Sequence, residues 1–245
     1  MAHYPNSILT IHQVNTSQQF LPPAITPSRS FAALGSEREH DSDKQRRAVE
    51  YPSMVTRGFT GRDSGRDQSD RIPPGQHLVE NFPVLTAGPT PRVETADWRF
   101  TLKIGPKPHK VWNWREFNAL PKTKMTRDIH CVTAWSKLNT SWEGVTIDDI
   151  LADAGLERPT DFVLARCYDG YSTNVPLRDL ASLKAMVALN YEGQPLPRDH
   201  GGPARLLVPH LYFWKSAKWI STLQFTNRDE AGFWELRGYH IYGDP

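Results

Sequence analysis

The sequence lacks the features that mark three common classes of protein. Its 245 residues include two cysteines, too few for a disulfide framework. No apolar run approaches the roughly 20 residues that a membrane-spanning helix needs. The charge is nearly balanced, at a formal +2, whereas a dedicated nucleic-acid binder carries a concentrated basic excess. We therefore expect no nucleic-acid partner, no membrane segment, and a reducing, cytoplasmic location.

Composition changes along the chain and divides it into three parts. Residues 1–53 mix Ser, Gln, Thr, Pro and charge without periodicity, so they bury too little apolar area to offset their ordering entropy, and we predict a disordered extension. Residues 54–75 are rich in Gly, Arg and Asp and are predicted to lie extended on a surface. All eight tryptophans follow Ala96. The folded domain is therefore predicted to span 76–245.

Short strands alternate with short helices in 76–245, which predicts an α+β fold with a mixed sheet. The segment 135–145 is predicted to be a long irregular loop. Asn113 and Thr146 are predicted helix caps. The predicted elements are strand 98–104, helix 114–120, strand 126–132, helix 147–154, strand 161–168, a helical turn at 177–182, segment 185–191, a turn at 192–193, and strands 205–208 and 219–226.

Cys131 stands at the exit of the predicted strand 126–132. Side chains alternate along a strand, so Ile129, Cys131 and Thr133 share one face while His130 lies on the other. Thiolate sulfur is a good ligand for a transition metal, and a single cysteine leaves most of the coordination sphere for a non-protein ligand and substrate oxygen. The alternative is a buried cysteine that acts as a small hydrophobe.

Three loops, YDGYSTN, LPRDHGGPARLLVPH and FWKSAKW, interrupt the apolar pattern with glycine, polar side chains and cations. Loops of this kind commonly carry ligand contacts. Gly201 and Gly202 permit close backbone approach. Donors suited to phosphate or another anion are His200, Arg205, Lys215 and Lys218.

The residues alone leave three functions open. The first is a metal-dependent enzyme with Cys131 as a ligand. The second is a hydrolase or transferase with Cys131 as nucleophile and a histidine as base, against which His130 faces the opposite side of the strand and no orienting acid is evident. The third is a non-catalytic cofactor carrier.

Five motifs in order, DIHCVTAWS, SWEGV, YDGYSTNVPL, DHGGPARLLVP and FWKSAKWI, resemble the sulfite oxidase-like molybdopterin oxidoreductases. The likeness extends from about Gly58 to the C-terminus and is to the minimal bacterial and archaeal form, which is related to the catalytic subunit of methionine-sulfoxide reductase. It implies the sulfite oxidase-type molybdopterin-binding fold, with mixed sheets and short helices. It also implies oxygen-atom transfer to or from a small sulfur or nitrogen compound.

The same resemblance assigns the site. Cys131 would ligate molybdenum, and molybdopterin would complete the cofactor. His200 and Arg205 would bind the pterin phosphate. The segment NFPVL resembles the family's first cofactor-contacting stretch. The other residues assigned to the cofactor cleft are Asn81, Phe82, Pro83, Val84, Ser216, Ala217 and Lys218, and the candidates to hold an anionic substrate are Lys137, Arg166 and Lys215.

Partners and the chain start follow from comparison with the same family. Vertebrate sulfite oxidases add a haem domain and a C-terminal dimerisation domain, and this sequence shows neither, so we expect a small-molecule substrate and an unknown electron-transfer partner. Arg46-Arg47 is followed by AVEYP, which does not resemble a twin-arginine export signal. MVTRGFTGR, from Met54, looks like the usual opening of the minimal members. We therefore expect residues 1–53 to be either a flexible extension or untranslated.

Overall fold

The computed structural model describes residues 68–245. The predicted disordered extension, 1–53, and most of the predicted surface segment, 54–75, lie outside the described residues. Both boundaries therefore stay predictions. Within 68–245, no helix is long and apolar enough to cross a membrane.

The described residues form eleven strands and three short α-helices. The strands are β1 His77–Leu78, β2 Arg99–Ile104, β3 Lys107–Asn113, β4 Thr123–Cys131, β5 Trp135–Thr146, β6 Phe162–Cys167, β7 Ser172–Pro176, β8 Met186–Tyr191, β9 Gln194–Pro195, β10 Arg205–Leu207 and β11 Ile220–Thr226. The helices are α1 Trp114–Asn118, α2 Ile147–Asp153 and α3 Leu177–Leu180. Short 3-10 turns lie at Gln68–Arg71, Arg198–His200, Phe213–Lys215 and Glu235–Arg237.

The strands make two sheets. Sheet A has the order β1-β5-β8-β10, with β4 paired to β5 and β9 to β8, and sheet B has the order β3-β2-β11-β6-β7. β1 runs parallel to β5 and β2 parallel to β11, while the other pairs are antiparallel. The pairing and the short helices confirm the predicted α+β class with mixed sheets.

Both predicted helix caps are present. The Asn113 side chain accepts a hydrogen bond from the Glu116 N–H at 3.0 Å, and the Glu116 carboxylate accepts one from the Asn113 N–H at 2.8 Å, which is a capping box. The Thr146 hydroxyl accepts from the Asp149 N–H at 3.0 Å and begins α2. These local contacts make α1 and α2 predictable, although each helix ends one or two residues earlier than expected.

The prediction of a loop at 135–145 is wrong, because β5 is a 12-residue strand. β5 pairs along one edge with β4 and along the other with β1 and β8. The polar residues of β5 favoured the loop prediction, but Ser136 and Thr140 are buried and hydrogen-bonded inside the fold. Gly144 lies where β5 approaches β8 closely: a Cβ there would lie 2.2 Å from the Val187 carbonyl oxygen of β8.

Sheet A separates two apolar cores. Alternate side chains of β8 and β10 face opposite ways, so that Val187 and Leu206 join a large core that includes Trp98 and Phe225. The opposite face carries a smaller core, here called the cysteine core. It consists of Met125, Ile129, Cys131, Trp135, Trp142, Met186, Ala188, Leu196, Leu207 and Phe213. This arrangement places Cys131, the predicted metal ligand, on the face of sheet A opposite to the large core.

Candidate functional site

Cys131 ends β4 and leads into a tight turn before β5. It pairs directly with Trp135 across the hairpin, so three residues form the loop. The Ala134 N–H donates to the Cys131 carbonyl at 3.0 Å, and Ala134 takes a left-handed φ of +67°. A type I turn followed by a left-handed residue is a common three-residue hairpin loop. The loop fixes Cys131 at the rim of the cysteine core, where it is 7% exposed.

The sulfur of Cys131 accepts a hydrogen bond from a nearby side chain. The Thr133 hydroxyl donates to Sγ at 3.2 Å. Burial raises the pKa of the Cys131 thiol, while the Thr133 side chain and the backbone N–H groups of Thr133 and Val132 oppose that rise. A buried sulfur that already has donors can become a thiolate when a metal displaces its proton.

His130 lies on the face opposite to Cys131, as the alternation predicted. It pairs across the hairpin with Ser136, and its Nδ1 lies 2.8 Å from the Ser136 hydroxyl. Burial lowers the pKa of His130 to about 4, so the ring is neutral near pH 7. Its ring lies on the other face of β4 from the Cys131 side chain, which does not favour the nucleophile–base pair that the hydrolase alternative needs.

Arg205 is a buried cation at the start of β10. It is 1% exposed, and its guanidinium lies 4.2 Å from the centre of the Phe213 ring, within the cysteine core. Its hydrogen bonds go to the backbone carbonyls of His200, Ser216 and Leu206. No carboxylate among residues 68–245 pairs with it. Burial lowers the pKa of Arg205 to about 9, which reflects a charge without a counterion.

Lys218 and His200 add to the same positive region. Burial and then the Arg205 charge lower the pKa of Lys218 to about 7, and burial, Arg205 and Lys218 lower that of His200 to about 4. The buried Nδ1 of His200 has no hydrogen-bond partner within the described part of the chain. Arg205 thus disfavours the charged forms of Lys218 and His200, and an anion among these three donors would favour them.

Comparison with known proteins identifies the family. The model of the oxidoreductase molybdopterin binding domain matches residues 87–234. The chain belongs to this family. A Bacillus subtilis protein named uncharacterized oxidoreductase YuiH is 40% identical over 189 residues, which are 76% of this chain and 95% of that protein. The chain is thus a sulfite oxidase-like molybdopterin-binding oxidoreductase.

More distant relatives agree. The putative protein-methionine-sulfoxide reductase subunit YedZ1 of Azospira oryzae is 31% identical over 62% of this chain and 57% of its own length. Mouse mitochondrial sulfite oxidase is 34% identical over 40% of this chain but only 20% of its own. Sulfane dehydrogenase SoxCD of Paracoccus pantotrophus has the same fold, with a TM-score of 0.51 over 76% of this chain and 58% of that one, at 19% identity. The predicted sulfite oxidase-type fold is thereby confirmed.

The site of this molybdopterin oxidoreductase fits the cofactor that its family implies. No group of three or more His, Cys, Asp or Glu side chains gathers within residues 68–245. A metal held by Cys131 would therefore take most of its other ligands from a cofactor. The unpaired Arg205 charge and the orphaned His200 Nδ1 suit a phosphate. The donor set therefore matches a metal bound to a phosphorylated organic ligand.

The NFPVL segment lies against this site. The Phe82 ring stacks on His200, with centroids 3.9 Å apart and planes at 13°. It also contacts Phe213 of the cysteine core. Lys218 Nζ donates to the Leu85 carbonyl at 2.7 Å, which pins the segment's end. Pro83 and Val84 are half-buried, while Asn81 is exposed.

Ser216 and Ala217 contribute mainly through their backbone and local packing. The Ser216 carbonyl accepts from Arg205, and the Ala217 carbonyl accepts from the Leu206 N–H at 2.8 Å. The Ser216 hydroxyl accepts from the Val208 N–H at 2.8 Å. The Ala217 methyl packs in the large core on the other face of sheet A. The roles of the ten predicted site residues in cofactor binding stay predictions.

Gly201 and Gly202 permit close approach, but to the chain's own backbone. Gly201 has φ +106°, and a Cβ there would lie 3.0 Å from the Lys218 Cα. A Cβ on Gly202 would lie 2.1 Å from the Leu196 carbonyl oxygen. These contacts bring the loop that carries His200 against Lys218.

The three cations predicted to hold substrate are placed differently. The prediction that Lys215 binds an anion is wrong: Lys215 is fully buried, and its Nζ donates to Glu235 Oε1 at 2.5 Å and Asn174 Oδ1 at 2.8 Å. Arg166 is an exposed residue of sheet B bonded to Gln224 Oε1 at 3.2 Å. Lys137 donates to the Glu80 carbonyl. No contact of these three links them to Cys131 within the described residues.

Sequence reasoning missed the aromatic side chains of the cysteine core and the hydrogen bond to Cys131 Sγ. Trp135, Trp142 and Phe213 come from β5 and from a 3-10 turn, and they meet only in the folded chain. Alternation placed Thr133 on the same face as Cys131, but the contact of its hydroxyl with Sγ depends on the turn that ends at Trp135. A three-residue hairpin loop between Cys131 and Trp135 would have indicated this contact. The prediction of a loop at 135–145 left no second strand to form that hairpin.

Proposed function

We propose that this molybdopterin-binding oxidoreductase transfers an oxygen atom to or from a small sulfur or nitrogen compound, with Cys131 as the protein ligand of molybdenum. The observation that carries the proposal is one buried thiol whose core also contains the ring under the unpaired Arg205 guanidinium. A thiolate ligand and a phosphate-binding cation are the two anchors that a molybdenum–molybdopterin cofactor needs.

When bound, the cofactor supplies two-electron oxygen-atom chemistry. The chain supplies a rigid anchor for it. The Gln76 amide donates to the Cys131 carbonyl at 3.0 Å, and the Ser136 hydroxyl donates to Gln76 Oε1 at 2.7 Å. Cys131 is thus held by the pairing of β4 with β5 and by the segment before β1. Aromatic side chains of the cysteine core exclude water behind the sulfur.

The positive region holds the anionic end of the cofactor. Arg205 has more N–H groups than its carbonyl partners use, and Lys218 and His200 lie within electrostatic reach of it. An anion here favours the charged forms of the three groups and therefore raises their pKa values toward the ordinary range. Orientation of the metal then follows from two fixed points, Cys131 and the Arg205 region.

Molybdenum analysis tests the ligand. Protein produced in a host that makes molybdopterin is expected to carry about one molybdenum per chain, because one thiolate serves one metal. Cys131→Ser is expected to lose redox activity, while Cys167→Ser keeps it. Wild-type protein that holds zinc or no metal, from a host that loads a related enzyme, contradicts the proposal.

Anaerobic turnover tests the reaction class. Sulfite oxidation with an oxidised dye and reduction of S-oxides and N-oxides with a reduced dye separate the two directions. A non-catalytic carrier would hold molybdenum but turn over none of these compounds. The electron-transfer partner in the cell is proposed to be a separate molecule that the dye replaces.

We also propose a cytoplasmic location. Cys131 and Cys167 are both free and buried thiols, which suits a reducing compartment. Cell fractionation with antibody detection tests this. Recovery in an oxidising compartment contradicts it.

A further inference from the structure

The turn after Cys131 is held from both ends. The His77 N–H donates to the Ala134 carbonyl at 3.0 Å, and the Gln76 amide donates to the Cys131 carbonyl at 3.0 Å. Cross-strand pairing of Cys131 with Trp135 closes the loop. The backbone that carries Thr133 is therefore fixed relative to the sulfur by contacts from β1 and β5.

This fixed turn aims the Thr133 hydroxyl at the metal-binding atom. The hydroxyl donates to Cys131 Sγ at 3.2 Å, a normal length for a bond to sulfur. Threonine is β-branched and therefore stiff at χ1, so few alternative positions compete. The backbone N–H groups of Val132 and Thr133 also act to lower the pKa of the thiol, against the effect of burial. Of these groups, only the hydroxyl belongs to a side chain and can be removed by a substitution.

Resting on the proposed function, we propose that Thr133 is a positioning residue that sets the reduction potential of the molybdenum through its hydrogen bond to the Cys131 thiolate. A hydrogen bond draws electron density from the sulfur and makes it a weaker donor to the metal. The more reduced metal is then favoured, so the bond raises the potential. Hydrogen bonds to ligand sulfur tune other metal centres in this way.

The bond becomes stronger when metal replaces the thiol proton, because an ionised acceptor strengthens a hydrogen bond. We expect its loss to change the reduction equilibrium constant by roughly tenfold, which corresponds to about 59 mV for a one-electron step. Thr133 thus acts on the direction of oxygen transfer, since a lower potential favours reduction of the substrate by the enzyme.

The test compares three variants in the full chain. Thr133→Val keeps the side-chain shape and removes the donor, Thr133→Ser keeps the donor, and Thr126→Val makes the same change at an exposed position of β4. Molybdenum content and the midpoint potential, read from the EPR signal during redox titration, are measured on each. Thr133→Val is expected to keep its molybdenum but to show a lower potential. Thr133→Ser keeps the donor without the β-branch and is expected to recover most of the wild-type potential, and Thr126→Val is expected to match wild type.

A second readout needs no metal. The Raman S–H stretch of Cys131 is isolated in cofactor-free protein by difference against Cys131→Ala. It is expected to shift in Thr133→Val and to return in Thr133→Ser. An unshifted band overturns the hydrogen bond, and a shifted band with an unchanged potential overturns its role in tuning. Wild-type protein without molybdenum refutes the proposed function, and with it the tuning role, while the S–H band still reports on the bond.

Discussion

Arg205 is a buried charge with a structural role and a proposed role in binding an anion. Its guanidinium ties the carbonyls of His200 and Ser216 together and keeps N–H groups for an anion. Burying a charge without an opposite charge is costly, so its retention favours a ligand that completes it. The pKa of Cys167, which lies within electrostatic reach of Arg205, is raised well above its ordinary value by burial. Cys167 is therefore a neutral thiol and no counterion.

Replacement of Arg205 tests the anion site. Arg205→Ala is expected to lose most of the bound cofactor, and Arg205→Lys is expected to keep part of it, because lysine retains the charge but not the forked donors. Cofactor content is measured by molybdenum and pterin analysis. Cys167→Ser is the matched control, since it changes a neutral side chain of the same region. Equal losses in Arg205→Ala and Cys167→Ser would contradict the assignment.

The 3-10 turn Phe213–Lys215 connects an apolar core to a buried polar network. It lies between the cysteine core, which takes Phe213, and a buried polar network, which takes Lys215. The network reaches residues after 234, the end of the family match, through Glu235 and the Ile241 carbonyl, which accepts from Lys215 Nζ at 2.7 Å. The C-terminal segment therefore fastens the loop that carries Ser216 and Lys218.

Breaking this network is expected to destabilise the chain. Lys215→Met leaves the Glu235 carboxylate buried and unpaired, with an expected cost of about 3–5 kcal/mol in the free energy of unfolding. The double variant Lys215→Met/Glu235→Leu removes both charges and is expected to recover much of that loss. Lys184→Met, at an exposed lysine, is the control. Denaturant unfolding measures all three, and a loss below about 1 kcal/mol in Lys215→Met would show the pair to be weak.

At the scale of the whole molecule, the two faces of sheet A carry different cores. Sheet B and the helices pack with one face of sheet A to build the large core. The other face of sheet A carries the cysteine core and the candidate site. The large core and most of the candidate site thus lie on opposite faces of one sheet, so we expect substitutions near Cys131 to change the site while the large core remains intact.

A chain that starts at Met54 tests the predicted boundary. It is expected to bind the cofactor and to unfold at the same temperature as the full chain, because residues 1–53 have the composition of a segment with few packed contacts. Thermal unfolding and molybdenum content are the measurements. N-terminal mass spectrometry of natively expressed protein shows whether the extension is translated. A large fall in either quantity would make residues 1–53 part of the fold.

Several features could be predicted from the sequence because they depend on neighbours in the chain. The capping box of Asn113 and Glu116 lies within four residues. The opposite facing of His130 and Cys131 follows from the geometry of a single strand. The five motifs also sufficed to predict the family, since they combine residue types and order.

The tertiary structure alone decided the rest, because those features depend on contacts between distant segments. Lys215 and Lys218 look alike in FWKSAKW, but Glu235 pairs with the first, while the second lies in the positive region with Arg205. β5 looked like a loop because its buried hydroxyls have partners on β4 and before β1. A polar side chain is buried only where the fold supplies its hydrogen bond, and that partner is absent from the local sequence.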